Sequence, residues 1–111
     1  MSGESGGETI SREQLKRLCV NLLAEAPEIL KGRDKSNPKM DRKSALLRAL
    51  YLSLQEKLGV PKAEEPPATD FKTYDFAYRA AIYELVDGHM KEPFEYQPIV
   101  NRFLDGALKK E

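Results

Sequence analysis

The amino-acid sequence predicts an all-α fold: a four-helix bundle-like single domain with a short extra turn after the first helix. Three observations predict it. Apolar residues recur at helical spacing in four separate segments. Capping residues, glycines and prolines bound those segments. No alternating β-branched run and no Asn-Gly hairpin signal points to a strand. A chain of 111 residues is long enough to bury one core and short enough to need only one. Residues 1–9 read as a disordered tail rich in Gly, Ser and Glu, and 10–111 as the helical domain.

The first helix has a complete start. Ser11 is the N-cap, Gln14 completes a capping box, and Ile10 with Leu15 forms a hydrophobic staple. Leu15, Leu18, Cys19, Leu22, Leu23 and Ala26 then trace one face. Pro27 is expected to end or kink the helix near Ala26. The extra turn covers Glu28 to Lys31, and Gly32 is expected to stop it. Residues 32–40 read as a polar basic loop with a turn at Asn37-Pro38.

The second helix is expected to start at the cap Asp41 and run to Leu58. Gly59 takes the left-handed stop, Val60 folds back beside it, and Pro61 prevents continuation. Its apolar residues cover more than one stripe, so it is placed at the centre of the bundle. Residues 61–70 form a Pro-rich acidic connector, read as a spacer between two helical hairpins or a strap across the surface. The third helix is expected to begin between Asp70 and Asp75 and to end near Asp87, with Gly88 as its stop. A loop over 89–96 precedes the fourth helix, which begins at Gln97–Pro98 and carries Ile99, Val100, Phe103, Leu104, Ala107 and Leu108 on one side.

Composition excludes several function classes. The lone cysteine, Cys19, cannot form an internal disulfide, and its place on the apolar face marks it as a small buried hydrophobe. The N-terminus lacks the apolar stretch of a signal peptide, and no apolar run is long enough for a membrane span. A cytoplasmic location and no membrane partner follow. One Cys and one His cannot supply an ordinary zinc set, and no Glu stands three residues before His89. No phosphate-binding glycine loop occurs. The expectation is therefore no catalytic, metal or cofactor residue, and a protein that is not an enzyme.

Net charge is zero but unevenly spread. Residues 31–61 carry 8 basic and 3 acidic groups, whereas 62–100 carry 4 basic and 8 acidic. Lys31, Arg33, Lys35, Lys39, Arg42, Lys43 and Arg48 crowd into 18 residues. That basic segment suits an acidic protein partner, or nucleic-acid phosphates. A pI of about 6.6 and the lack of aromatics within the run weigh against nucleic acid. The third helix is crowded with Phe71, Tyr74, Phe76, Tyr78 and Tyr83, more aromatics than one face buries. Phe71, Tyr74 and Phe76 are the residues expected to present an aromatic contact surface.

The sequence therefore points to a non-enzymatic protein-interaction module, a small adaptor, regulator or assembly factor. It would bind through the basic loop and helix start and through the aromatic helix face. The charge split also permits self-association. Two alternatives stand: a nucleic-acid-binding protein using 31–48, and a small enzyme with a site in a helical cleft.

Overall fold

The computed structural model describes residues 9–36, 41–60 and 71–109, with the backbone alone described over 33–36 and 71–74. The N-terminal tail, the Asn37-Pro38 turn and the Pro-rich connector lie outside the described residues. Four helices follow in order: α1 (Arg12–Ser36), α2 (Arg42–Leu58), α3 (Phe71–His89) and α4 (Gln97–Lys109). Among the described residues there is no strand, only an isolated parallel bridge between Ile10 and Met90.

The start of α1 follows its sequence signals. Ser11 N–H donates to Gln14 Oε1 at 2.8 Å, and Gln14 N–H donates to Ser11 Oγ at 3.2 Å. Two N–H groups that the first turn would leave unpaired are thus satisfied reciprocally. Ile10 and Leu15, the staple pair, are both buried. The end of α1 departs from expectation. The helix runs through Pro27 and Gly32 to Ser36, so residues 32–36 are helix and not loop, and no separate extra turn forms. Proline removes one backbone hydrogen bond and crowds the preceding carbonyl. The apolar stripe explains why the helix continues. Leu15, Cys19, Leu22, Ala26 and Leu30 are all buried, so the same face crosses Pro27 without a break.

In α2, Asp41 accepts from Ser44 N–H at 2.9 Å through its carboxylate, which caps the helix as expected. Gly59 adopts φ 65° and ψ 22°, the left-handed conformation that only glycine enters at no steric cost. Its N–H donates to Glu56 O, and Val60 N–H donates to Gln55 O, each at 3.2 Å. These bonds complete a Schellman motif, with Val60 partly buried against the core. Leu46, Leu47, Leu50, Leu54 and Leu58 are wholly buried. Each contributes on the order of 2 kcal/mol by leaving water. As expected of the central helix, α2 packs against α1, α3 and α4.

The pairing of the other helices is not that of two hairpins in series. α3 packs chiefly on α2, and α4 on α1 and α2. Tyr78, Ile82 and Val86 form the buried stripe of α3, and the Tyr78 ring meets Tyr51 of α2 at 6.0 Å. Val100, Phe103, Leu104 and Ala107 form that of α4. Long side chains link α3 to α4 and to Tyr96, the residue just before it. Arg79 donates to Asn101 Oδ1 at 2.8 Å, and the rings of Tyr83 and Tyr96 lie 5.3 Å apart.

α3 also passes its expected stop. Gly88 is helical and His89 is the last residue of the helix. Two bonds satisfy carbonyls there without a left-handed glycine. His89 Nδ1–H donates to Leu85 O at 2.7 Å, and Ile10 N–H donates to His89 O at 2.9 Å. Among the described residues, no helix is long and apolar enough to cross a membrane.

Candidate functional site

Among the described residues, a groove lies between α1 and α4. α1 carries two faces. Its main stripe enters the core. Beside it run Arg12, Lys16, Val20 and Leu23, spaced by four, four and three residues and therefore stacked along one side of the helix. α4 faces them with Pro98, Ile99, Arg102 and Phe103. Phe94 and Glu95, from the segment joining α3 to α4, complete the walls. The groove between them encloses about 580 Å³, within the usual range of ligand-binding clefts.

Local packing shapes each wall. Gly106 lets α4 approach α1 closely, since a Cβ there would lie 3.3 Å from Leu23 Cδ2. Phe94 is held by a chain of rings. It meets Tyr96 edge-on at 6.4 Å, and Tyr96 in turn meets Tyr83. Burial pushes the Tyr96 hydroxyl pKa up, and the nearby Asp87 carboxylate, which accepts its hydrogen bond, adds to the shift. Arg79, behind this chain, bonds Asp75 Oδ1 at 3.3 Å and Tyr83 Oη at 3.4 Å. Burial opposes its charge, but the Tyr83 and Asp75 contacts outweigh it and raise the pKa.

The chemistry of the groove is apolar within and cationic at the rim. Cys19 and Phe103 are buried, Leu23, Phe94 and Ile99 are half-buried, and Val20 is 61% exposed. Arg12, Lys16 and Arg102 stand against one carboxylate, Glu95. None of the three cations has an ion pair or hydrogen bond to a described residue. Burial pushes the Cys19 thiol up to about 12, so it stays protonated and is no nucleophile at ordinary pH. Among the described residues no three His, Cys, Asp or Glu side chains gather as a metal would require.

The residues singled out from the sequence fall elsewhere. Lys31 is exposed near the end of α1. Arg33 and Lys35 belong to the last turns of α1, with side chains outside the described residues, where Lys39 also lies. Arg42 is exposed at the start of α2, and Lys43 and Arg48 are half-buried along it. Arg42 and Arg48 already engage other groups. Phe71 and Tyr74 lie in the first turn of α3, and Phe76 is 73% exposed on the same helix. Of those whose side chains are described, Lys31, Arg42, Lys43, Arg48 and Phe76, none lines the groove. The groove was missed because its walls are far apart in the chain. A signal did exist: Val20 sits off the main stripe of α1, one turn beyond Lys16. Neither a family model, nor a curated protein, nor a solved structure matches the chain, so the groove is read from its own residues.

Proposed function

We propose that the chain is a non-enzymatic interaction module, a small adaptor, regulator or assembly factor that binds a protein partner. The observation that carries this reading is the α1–α4 groove, an apolar floor rimmed by three cations with no described partner. An exposed valine beside half-buried Ile99 and Phe94 is stabilised when another surface covers it. Arginine and aromatic side chains around such a floor are the composition that interfaces favour. A neutral buried thiol as the groove's sole cysteine offers recognition and no covalent chemistry. A lone thiol suits a reducing compartment, and we take the cytoplasm as the place of work. Exposed Phe76 supports a second, smaller contact on α3, and the 31–48 segment adds positive charge that draws an acidic partner in.

Co-purification with tagged full-length chain tests the reading. Val20→Asp alters an exposed position and leaves the core intact, so the variant should fold and lose the partner that wild type retains. Lys57→Glu, on exposed α2 surface away from the groove, should keep it. A set of bound proteins that is the same for wild type and Val20→Asp sinks the proposal.

A further inference from the structure

We propose that the α1–α4 groove receives an acidic amphipathic helix of about three turns, supplied by a protein partner. The inference rests on the reading of the chain as an interaction module and names the chemistry of what it binds.

Length comes first. The α1 wall from Arg12 to Leu23 measures roughly 16 Å at 1.5 Å per residue, the length of about three helical turns. An amphipathic helix laid along it would place two or three apolar side chains against Val20, Leu23, Ile99 and Phe94. The floor would then be covered by residues spaced by three and four on the incoming helix, as the floor residues are on α1.

Charge placement decides among occupants. Arg12 and Lys16 stand one turn apart on the α1 bank, and Arg102 stands on the α4 bank. A ligand with a single carboxylate, such as a fatty acid, would satisfy one bank and leave the other. A helix with Glu or Asp along both edges of its apolar face pairs with all three cations at once. Nucleic-acid phosphates would pair with the cations but leave the apolar floor wet. A flat bilayer surface does not enter a recess between two helices. Among the described residues Glu95 is the one acidic group lining the groove, so it repels an acidic helix locally and limits affinity.

The test uses the full chain and synthetic peptides, read by backbone-amide NMR shifts and by fluorescence anisotropy. The probe is a capped 14-residue helix with Leu at one apolar face and Glu on both flanks. Its controls carry Gln or Lys in place of Glu, and dodecanoate serves as a single-carboxylate ligand. The acidic peptide should shift Lys16, Val20, Leu23, Ile99 and Arg102. It should bind at least tenfold more tightly than the Lys peptide, with affinity falling as salt rises. Arg12→Glu with Lys16→Glu and Arg102→Glu should reduce binding tenfold or more while circular dichroism stays unchanged. Glu95→Gln should tighten it two- to threefold.

Equal binding of the Glu and Lys peptides overturns the proposal. So do shifts centred on Phe76 or Lys31, or tighter binding of dodecanoate than of the acidic peptide. If the acidic peptide fails while a co-purified partner still depends on Val20, the interaction reading stands and the occupant's chemistry is wrong. If both fail, both readings fall.

Discussion

Two groups of cations in this molecule invite comparison. The segment from Lys31 to Arg48 holds seven basic residues in 18 and is the densest positive charge along the chain. The α1–α4 groove holds only three, Arg12, Lys16 and Arg102. The dense segment is divided between the end of α1 and the start of α2, and Arg42 and Arg48 already engage other groups. One of its two acidic members, Asp41, is committed to the first turn of α2. The sparse group stands around apolar walls with no described partner. Charge density along a chain steers encounters over distance. Affinity and orientation need walls, and walls come from helices that meet.

Substitutions separate the two regions, and the largest effect lies in the helix that supports both. Leu50 on α2 is wholly buried. Leu50→Asp places an unpaired charge in the core and should unfold the domain, costing more than about 4 kcal/mol. Far-ultraviolet circular dichroism should show the loss of helix. A folded variant of equal stability would refute the central placement of α2.

The second effect belongs to the groove floor and depends on pH. The Cys19 thiol is pushed up from 9.0 to about 12 in the folded chain by burial. Above pH 9 the unfolded chain loses this proton while the native chain keeps it until about 12. The unfolded state then binds fewer protons, so stability falls as pH rises through that window. The limiting slope for one such group is about 1.4 kcal/mol per pH unit. Urea titrations of wild type and Cys19→Ala between pH 8 and 11 isolate this group from the lysines and tyrosines. Wild type should lose stability more steeply, and parallel curves would show that Cys19 is not shielded from water.

The third effect is confined to the basic segment. Asp41→Ala removes the cap of α2 and should cost about 1 kcal/mol, lowering the melting temperature with no change in groove binding. Loss of binding in a folded Asp41→Ala protein would tie the two regions together. The smallest effect lies at the far end of the groove. Gly106→Ala gains up to about 1 kcal/mol of helix propensity, but its Cβ meets Leu23 Cδ2 at 3.3 Å. Leu23 can yield by a small rotation of its methyl end, so the two terms should leave stability within about 0.5 kcal/mol of wild type. A loss well beyond that would mean α1 and α4 cannot separate at this point.

Much of the local structure was legible along the chain. Ser11 with Gln14, Asp41, and Gly59 followed by Val60 and Pro61 each specify a helix end through neighbours in sequence. Single residues misled. Gly32 and Gly88 have the look of stops, yet both are helical. Glycine permits a left-handed turn without requiring it. At Gly59 an apolar follower and a proline commit the chain, whereas Arg33 and His89 follow the other two. His89 then bonds Leu85 O and leaves its own carbonyl to Ile10, a residue from the opposite end of the chain. Pro27 misled for a related reason. Burial of Ala26 and Leu30 on one face outweighs a lost backbone bond that lies toward solvent.

Four helices, three of their caps and the central place of α2 can be read along the chain. Those depend on spacing, capping chemistry and the sheer apolar content of one segment, all of which are local. That α4 lies against α1, that α3 turns to α2, and that Arg12, Lys16 and Arg102 share one groove emerge only when the helices pack together. An amphipathic helix declares that it has a face to bury but not which partner will cover it. Hydrophobic attraction is non-directional, so shape at close approach, such as Gly106 against Leu23, makes that choice.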